Sequence, residues 1–467
     1  MQEYEIGLYG LGVMGSSLAK NMIQHGFDVA LYSKPEAERA AFRVEAPLGR
    51  YEVFPTEEAF VHSLSQPRVI FLMVTAGKAV DAVIGQLLPY LEPEDVIIDG
   101  GNSHFEDTAR RGAALAEQGI QYLGVGVSGG ELGALYGPSM MVGGNYEGWI
   151  RCREILQSIA AQVDGEPCCE YVGQAGAGHY VKMVHNGIEY AILQLLADTY
   201  HILSQGMGLP QEEIAAIFAG WKDGPLRSYL IDISIDVLRK RDEDGQFLLP
   251  KILDSAQQKG TGSWTMMESI TRGVYAPTIA EAVYARFFSQ EKATRSLGRK
   301  IGELSPVRKV FSVENIGGKL ENALYCAMVC CYAQGMEIIR KASADFGWNI
   351  NLENAANLWR GGCIIRSDLL EPIAKAFHRP QDCPNLVLSK EFAPALAQKE
   401  ADWREIVGRC IIHGLAVPAL SSTLTYYDSC HTDPMPVGLI QGLRDCFGAH
   451  TYRRTDREGD FHTNWQE

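Results

Sequence analysis

No apolar run in this sequence reaches the length of about 20 residues that a bilayer-spanning helix needs. The N-terminus, Met1-Gln2-Glu3-Tyr4-Glu5, is acidic where a secretory leader would be basic. The cytoplasm is therefore the expected location, with no membrane partner. Neither CxxC nor HExxH occurs, so no metal site is expected. The 11 cysteines are odd in number and lack framework spacing. Cys326, Cys330 and Cys331 sit in an apolar helical run and read as buried thiols. Positive charge is also scarce: 42 Lys and Arg against 57 Asp and Glu leave a net charge of −15. That sign is wrong for a broad nucleic-acid surface, although a few local cations can still attract an anionic small molecule. What remains is an ordinary globular composition, 46% hydrophobic and 21% charged. Its 467 residues are too many for one core, so two or three domains are expected.

The apolar pattern divides the chain into three parts. Up to about residue 176, short apolar runs (Glu5–Tyr9, Val29–Tyr32, Val69–Val74, Val96–Asp99, Tyr122–Val127) alternate with amphipathic stretches such as Ser16–His25 and Lys78–Leu91. That alternation predicts a parallel, doubly wound α/β sheet of the Rossmann-like kind. From 177 to 433 the apolar residues recur at spacings of three and four, which predicts an all-helical domain. It carries a trace of duplication: Gly208, Arg227-Ser228 and Leu230 recur as Gly347, Arg366-Ser367 and Leu369, each offset by 139 positions. Residues 434–467 read as a short helix and an extended tail. Tails fray unless docked, and Phe447, Tyr452, Phe461 and Trp465 favour docking, with a partner subunit as the expected acceptor.

Gly10-Leu11-Gly12-Val13-Met14-Gly15 fits GxGxxG between a strand and a helix. There the glycines allow a tight turn and bring backbone N–H groups to a pyrophosphate, so dinucleotide binding is preferred over a purely structural turn. At the end of the second strand an acid would favour the free ribose hydroxyl of NAD. The chain instead reads Tyr32-Ser33-Lys34-Pro35, with no acid until Glu36. Ser33 and Lys34 are placed to hold a 2′-phosphate, the alternative being a solvated loop lysine. NADP is the expected cofactor and NAD the alternative.

Ala177–Leu203 reads as one long helix. Lys182, His185, Asn186 and Glu189 fall within about a quarter of its circumference, opposite an apolar stripe of Val181, Val184, Ile188, Ala191, Ile192 and Leu195. Lys182 and Glu189 are about 10.5 Å apart along the axis, room for a sugar-sized substrate. A solvated charged face is one reading. The other is a desolvated lysine acting as general base beside a carboxyl acid, and the helix's place after a nucleotide domain favours it. Asp99-Gly100-Gly101-Asn102-Ser103 and Ser128-Gly129-Gly130-Glu131 each follow a strand, at the carboxyl ends where open α/β sheets bind ligands. Lys259-Gly260-Thr261-Gly262 is either an anion loop or a helix terminus.

Taken together, these residues resemble the 6-phosphogluconate dehydrogenase family. The likeness runs from Gly10 to Trp465 and is most specific in Ile98–Ser103, Gly126–Glu131 and Gly176–Tyr190, with Phe447-Gly448-Ala449-His450 and Phe461-His462-Thr463-Asn464-Trp465 completing it. The resemblance implies oxidative decarboxylation of 6-phosphogluconate to ribulose 5-phosphate with NADP and without a metal. It implies that Lys182 is the base and Glu189 the acid. Asn102, Ser128, Gly129, Gly130, His185 and Asn186 would hold the sugar acid. Tyr190, Lys259, Thr261 and Arg286 would hold its phosphate, and Arg444 and His450 would arrive from the other subunit of a homodimer. Val74, Thr75, Ala76 and Asn102 would join the glycine loop, Ser33, Lys34 and Pro35 around the cofactor.

The sequence also departs from that family. Ser33-Lys34-Pro35 stands where Asn-Arg-Thr or Asn-Arg-Ser is usual, and lysine lacks the bidentate fork of arginine. Thr75 and Ser263 stand at usual lysines, and Leu132 at a usual acid. Two other readings are a shorter β-hydroxyacid dehydrogenase, which would not need the second helical repeat or the tail, and a non-catalytic nucleotide-binding paralogue, against which Lys182, Asn186 and Glu189 stand.

Overall fold

Ile6–Tyr9 (β1), Val29–Tyr32 (β2), Val69–Leu72 (β4) and Val96–Asp99 (β5) are buried along their whole length. Near-continuous apolar runs of this kind suit strands covered on both faces. The computed structural model describes residues 3–44, 47–302 and 310–466. The Met1-Gln2 start of the acidic N-terminus lies outside them. The chain forms two units, one through Leu424 and a second from Thr425.

In the first unit α1 (Val13–Gln24), α2 (Glu36–Val44), β3 (Tyr51–Val53), α3 (Glu57–His62), α4 (Lys78–Leu87), α5 (Phe105–Ala116), β6 (Gln121–Ser128), α6 (Gly130–Tyr136), β7 (Ser139–Gly144) and α7 (Tyr146–Ile159) complete most of the α/β part. A two-stranded hairpin, β8 (Gln162–Val163) and β9 (Glu166–Pro167), precedes the last strand, β10 (Cys169–Gly173). The eight-stranded sheet runs β10-β7-β6-β5-β4-β1-β2-β3.

The expectation of a wholly parallel sheet is corrected here. β6 and β7 pair antiparallel, from Leu123 opposite Gly144 to Ser128 opposite Ser139. The reason is length. Returning a strand parallel to its predecessor takes a crossover of about a dozen residues or more, and 129–138 is shorter than that. The chain turns at Gly129 (φ 118°) and Gly130 (φ 63°), makes the short α6 and comes back alongside β6. Strands β3, β7 and β10 were not among the expected ones; β3 is short, and β3 and β10 lie at the sheet edges.

The helical part consists of α8 (Ala177–His201), α9 (Gln211–Gly220), α10 (Tyr229–Arg239), α11 (Thr261–Thr271), α12 (Pro277–Gln290), α13 (Lys292–Gly302), α14 (Ile316–Phe346), α15 (Leu352–Leu358), α16 (Leu370–Phe377) and α17 (Ala393–Ile412), with α18 (Pro418–Cys430) starting in the first unit. No strand occurs among the described residues of 177–433. The duplication is visible. α8 and α14 begin 139 positions apart, pack on each other, and are followed by Gly208 and Gly347 at φ 69° and 68°. Ser228 and Ser367 pair antiparallel, with Tyr229 N–H donating to the Arg366 carbonyl and Asp368 N–H to that of Arg227, each at 3.1 Å. The two repeats thus meet at equivalent residues.

α8 sits between the two parts, packed on β6 and β7 as well as on α11, α12 and α14. Its N-terminus lies so close to the sheet that a Cβ on Gly178 would strike the Gly124 carbonyl. The expected split of α8 into a packed face and an open face is corrected: nearly every residue from Ala177 to Ile192 is buried, on all sides. A helix covered all round shows only a weak amphipathic signal.

In the second unit α19 (Gly438–Gly448) carries the buried Asp445. Its carboxylate accepts from Thr451 N–H (2.9 Å), Thr463 N–H (3.0 Å) and Trp465 Nε1 (2.8 Å), so the tail folds back on its own helix instead of running extended. No helix among the described residues is long and apolar enough to cross a membrane.

Candidate active site

The nucleotide side is built at the carboxyl ends of β1, β2, β4 and β5. Gly10 (φ 104°) donates to the Tyr32 carbonyl at 2.8 Å, and a Cβ there would strike the Met73 carbonyl. A Cβ on Gly15 would strike the Gly10 carbonyl, so the helix can start this close to the strand only with glycine. Gly12, by contrast, faces open space and caps α1 with no side chain. Those uncapped N–H groups suit a pyrophosphate. Val13 is exposed, Leu11 buried and Met14 half-buried against the core. Val74, Thr75 and Ala76 follow β4 with Thr75 exposed, and the Val74 carbonyl lies against Gly101.

The Asn102 loop is held from below. The buried Asp99 carboxylate accepts from Gly101 N–H (3.0 Å), Ser103 Oγ (2.6 Å) and Tyr122 Oη (3.0 Å). Arg111 reaches it at 3.5 Å and also bonds the Gly77 carbonyl and Asp81, which ties the β4 and β5 loops together. Asn102 itself stays exposed between these fixed neighbours. Nothing in the spacing of the sequence pointed to Arg111.

Lys182 is 6% exposed. Its Nζ donates to Ser128 Oγ at 2.8 Å and lies 3.4 Å from His185 Nδ1, while His185 Nε2 is 3.3 Å from Ser128 Oγ. His185 Nδ1 is also 3.0 Å from Asn186 Oδ1. Among the described residues Lys182 makes no ion pair. Burial brings its pKa from 10.5 down to about 8, against the opposing pull of the Glu189 carboxylate. Burial also pushes His185 well below its ordinary value, with the neighbouring Lys182 charge acting in the same direction. Glu189 is pushed up by burial, and Lys182 and Arg286 moderate that rise. So the structure brings a weakly basic amine, a neutral imidazole and a carboxyl of raised pKa onto one helix. Gly126 leaves room for the lysine stem, because a Cβ there would run into Lys182 Cβ and Cγ. Gly126→Ala is therefore expected to cost about 1–3 kcal/mol of stability and to lower turnover through a displaced amine. A denaturant midpoint and a kcat measured together would check this.

One turn further on, the Arg286 guanidinium lies 3.5 Å from the Tyr190 ring centroid. Gly262 is seated on that same ring, and Thr261 opens α11, whose N-cap Gly260 (φ 96°) supplies no side-chain cap. Lys259 is exposed just before it. Tyr190, Thr261 and Arg286 are thus gathered beside Glu189. Gly129 is half-buried and Gly130 exposed at the start of α6. Arg444 and His450 belong to the second unit, where Arg444 donates to Gln441 at 3.1 Å and His450 rests against Phe447. Residues that sequence reasoning did not single out are Glu38 and Arg39 at the start of α2, and Cys363, a buried thiol whose pKa burial pushes up against the pull of the Lys182 charge.

Residues 5–173 match the NAD binding domain of 6-phosphogluconate dehydrogenase and residues 178–465 its C-terminal domain. The chain is 45% identical over 475 residues to the NADP(+)-dependent, decarboxylating 6-phosphogluconate dehydrogenase of Bacillus subtilis, covering 100% of both. It is 46% identical over 468 residues to the NAD(+)-dependent, decarboxylating enzyme of the same organism, covering 99% of each. Among solved structures, a Plasmodium falciparum 6-phosphogluconate dehydrogenase, described with its cofactor NADP+ and its substrate 6-phosphogluconate, superposes with a TM-score of 0.94 at 37% identity, over 99% of this chain and 100% of that one.

Proposed function

This chain belongs to the 6-phosphogluconate dehydrogenase family, and from that premise we propose that it oxidises and decarboxylates 6-phospho-D-gluconate to D-ribulose 5-phosphate with NADP, NAD being a second acceptor. The observation that carries the reading is the enclosed Lys182 amine, which has no ion-pair partner among the described residues and whose pKa is drawn down to about 8. A lysine in that state can take a proton near neutral pH.

Gly10–Gly15, Ser33, Lys34, Val74–Ala76 and Asn102 would hold the cofactor, which when bound accepts the hydride leaving C3. The open space at Gly12 and the uncapped start of α1 fit a dinucleotide. Lys182 Nζ takes the proton of the C3 hydroxyl, with Ser128 and His185 fixing its direction. The resulting 3-keto acid loses carbon dioxide, because its carbonyl accepts the electron pair of the breaking bond. Protonated Lys182 then stabilises the enolate oxygen. Glu189, whose pKa burial pushes up, supplies the proton to C2 of the enediolate, the carbon that becomes C1 of ribulose 5-phosphate. Asn102, Gly129, Gly130 and Asn186 bind the sugar acid. Tyr190, Lys259, Thr261 and Arg286 bind its phosphate, completed in a homodimer by Arg444 and His450 of the partner subunit.

The test is reduction of NADP and of NAD in the presence of 6-phosphogluconate, with carbon dioxide and ribulose 5-phosphate as products. Because a lysine polarises the carbonyl, turnover is expected to withstand chelator. A folded sample that binds nucleotide yet turns over with neither cofactor would refute the reading. Removing the residues after 440 is expected to lower turnover by about 10²-fold or more, since a misplaced substrate phosphate costs orientation. A truncated dimer of normal activity, seen by sedimentation and assay, would exclude a shared site.

A further inference from the structure

The adenosine end of the cofactor site has a charge balance that the sequence motif alone conceals. In folds of this type the group at the end of the second strand reads the ribose 2′ position: a carboxylate accepts the 2′-hydroxyl, whereas a cation accommodates the 2′-phosphate. Here Ser33 is buried, and its hydroxyl donates to the Glu38 carboxylate at 2.5 Å, one turn into α2. The Arg39 guanidinium is no reserve of positive charge. It is buried against the Tyr32 ring, bonds the carbonyls of Ser33 and Lys34, and pairs with Glu36. Lys34 is exposed and has no ion-pair partner among the described residues. It is therefore the one side chain of this strand end left to meet a phosphate. Pro35 offers no backbone N–H.

We propose that Glu38 is a specificity-determining residue for the dinucleotide. Its carboxylate engages the Ser33 hydroxyl, opposes a 2′-phosphate and offers an acceptor to a 2′-hydroxyl. It thereby narrows the preference for NADP that Lys34 creates and keeps NAD usable. Lys34, Arg39 and Arg43 against Glu36 and Glu38 leave one net positive charge, and both arginines are engaged by Glu36 and by backbone carbonyls, so a dianionic phosphate gains little from this strand end as a whole. Removing the Glu38 charge makes the strand end more cationic and releases the Ser33 hydroxyl as a further donor. This rests on the cofactor reading given above.

The experiment compares kcat/KM for NADP and for NAD, at saturating 6-phosphogluconate, in the parent enzyme, Glu38→Gln and Glu38→Ala, at low and high salt. Calorimetric binding of 2′,5′-ADP and of 5′-ADP is measured alongside and does not depend on turnover. The NADP-to-NAD ratio is expected to rise about tenfold in both variants at low salt and less at high salt, as expected for a charge near a dianion. 2′,5′-ADP should tighten by a similar factor while 5′-ADP does not. A ratio within twofold of the parent in active variants, with 2′,5′-ADP binding unchanged, would overturn the assignment of Glu38 and leave the enzymatic reading intact. Absence of turnover in the parent enzyme would instead strike the reading on which the assignment rests.

Discussion

Lys182→Met is expected to lose about 10²–10⁴-fold in turnover and yet, at pH 7, to melt above the parent protein. The first effect follows from the geometry: among the described residues no other amine bonds Ser128 beside His185, and methionine cannot carry a proton. The second follows from linkage. A lysine whose folded-state pKa falls from 10.5 to about 8 binds its proton less readily in the folded chain than in the unfolded one. That penalty is present in full below pH 8, fades as pH rises from 8 to 10.5, and vanishes above. It amounts to about 3 kcal/mol, partly offset by the lost hydrogen bond to Ser128, about 1–2 kcal/mol. Thermal unfolding of the two proteins at pH 7 and again above pH 10.5 would check the sign. The gap in favour of the variant should be present at the first and gone at the second. A variant less stable at pH 7 would mean that Lys182 is not held against its charge.

Glu189→Gln is expected to cost a further large factor, again about 10²–10⁴-fold in kcat, because glutamine keeps the shape but cannot deliver a proton to C2 of the enediolate. It should also move the lysine. The Glu189 carboxylate holds the Lys182 pKa up against burial. Without it the pKa falls further, so the amine is free at lower pH. Residual kcat/KM should therefore begin its rise at a lower pH than in the parent. Loss of activity with no shift would leave Glu189 a role in the site without electrostatic contact with Lys182.

Much of this arrangement was legible in the chain. Gly10–Gly15 is read correctly as a strand-to-helix loop because the glycine spacing reports a backbone requirement, which the Gly10 φ of 104° and the collision awaiting a Gly15 Cβ make concrete. The duplication was legible because equivalent residues, Ser228 and Ser367, meet across the local repeat. Four features were not. The reversal at β7 depends on the length of the 129–138 connection, which hydrophobic period does not register. The burial of Lys182 and His185 was hidden because a helix enclosed by both a sheet and other helices has no face whose polarity reveals its surroundings. The role of Glu38 was hidden because it lies five positions beyond Ser33 and reaches back through a helical turn. Arg111, which ties two loops together from α5, has no local signature at all.

The central claim is that Lys182, enclosed and without an ion partner among the described residues, is the base. The most direct measurement is the pH dependence of kcat/KM for 6-phosphogluconate from about pH 6 to about pH 10 in the parent enzyme and in Glu189→Gln. The account predicts a rise with unit slope through about 8 in the parent, moved to lower pH in the variant. A parent profile that is flat through this range, or a midpoint that does not respond to Glu189, would contradict it.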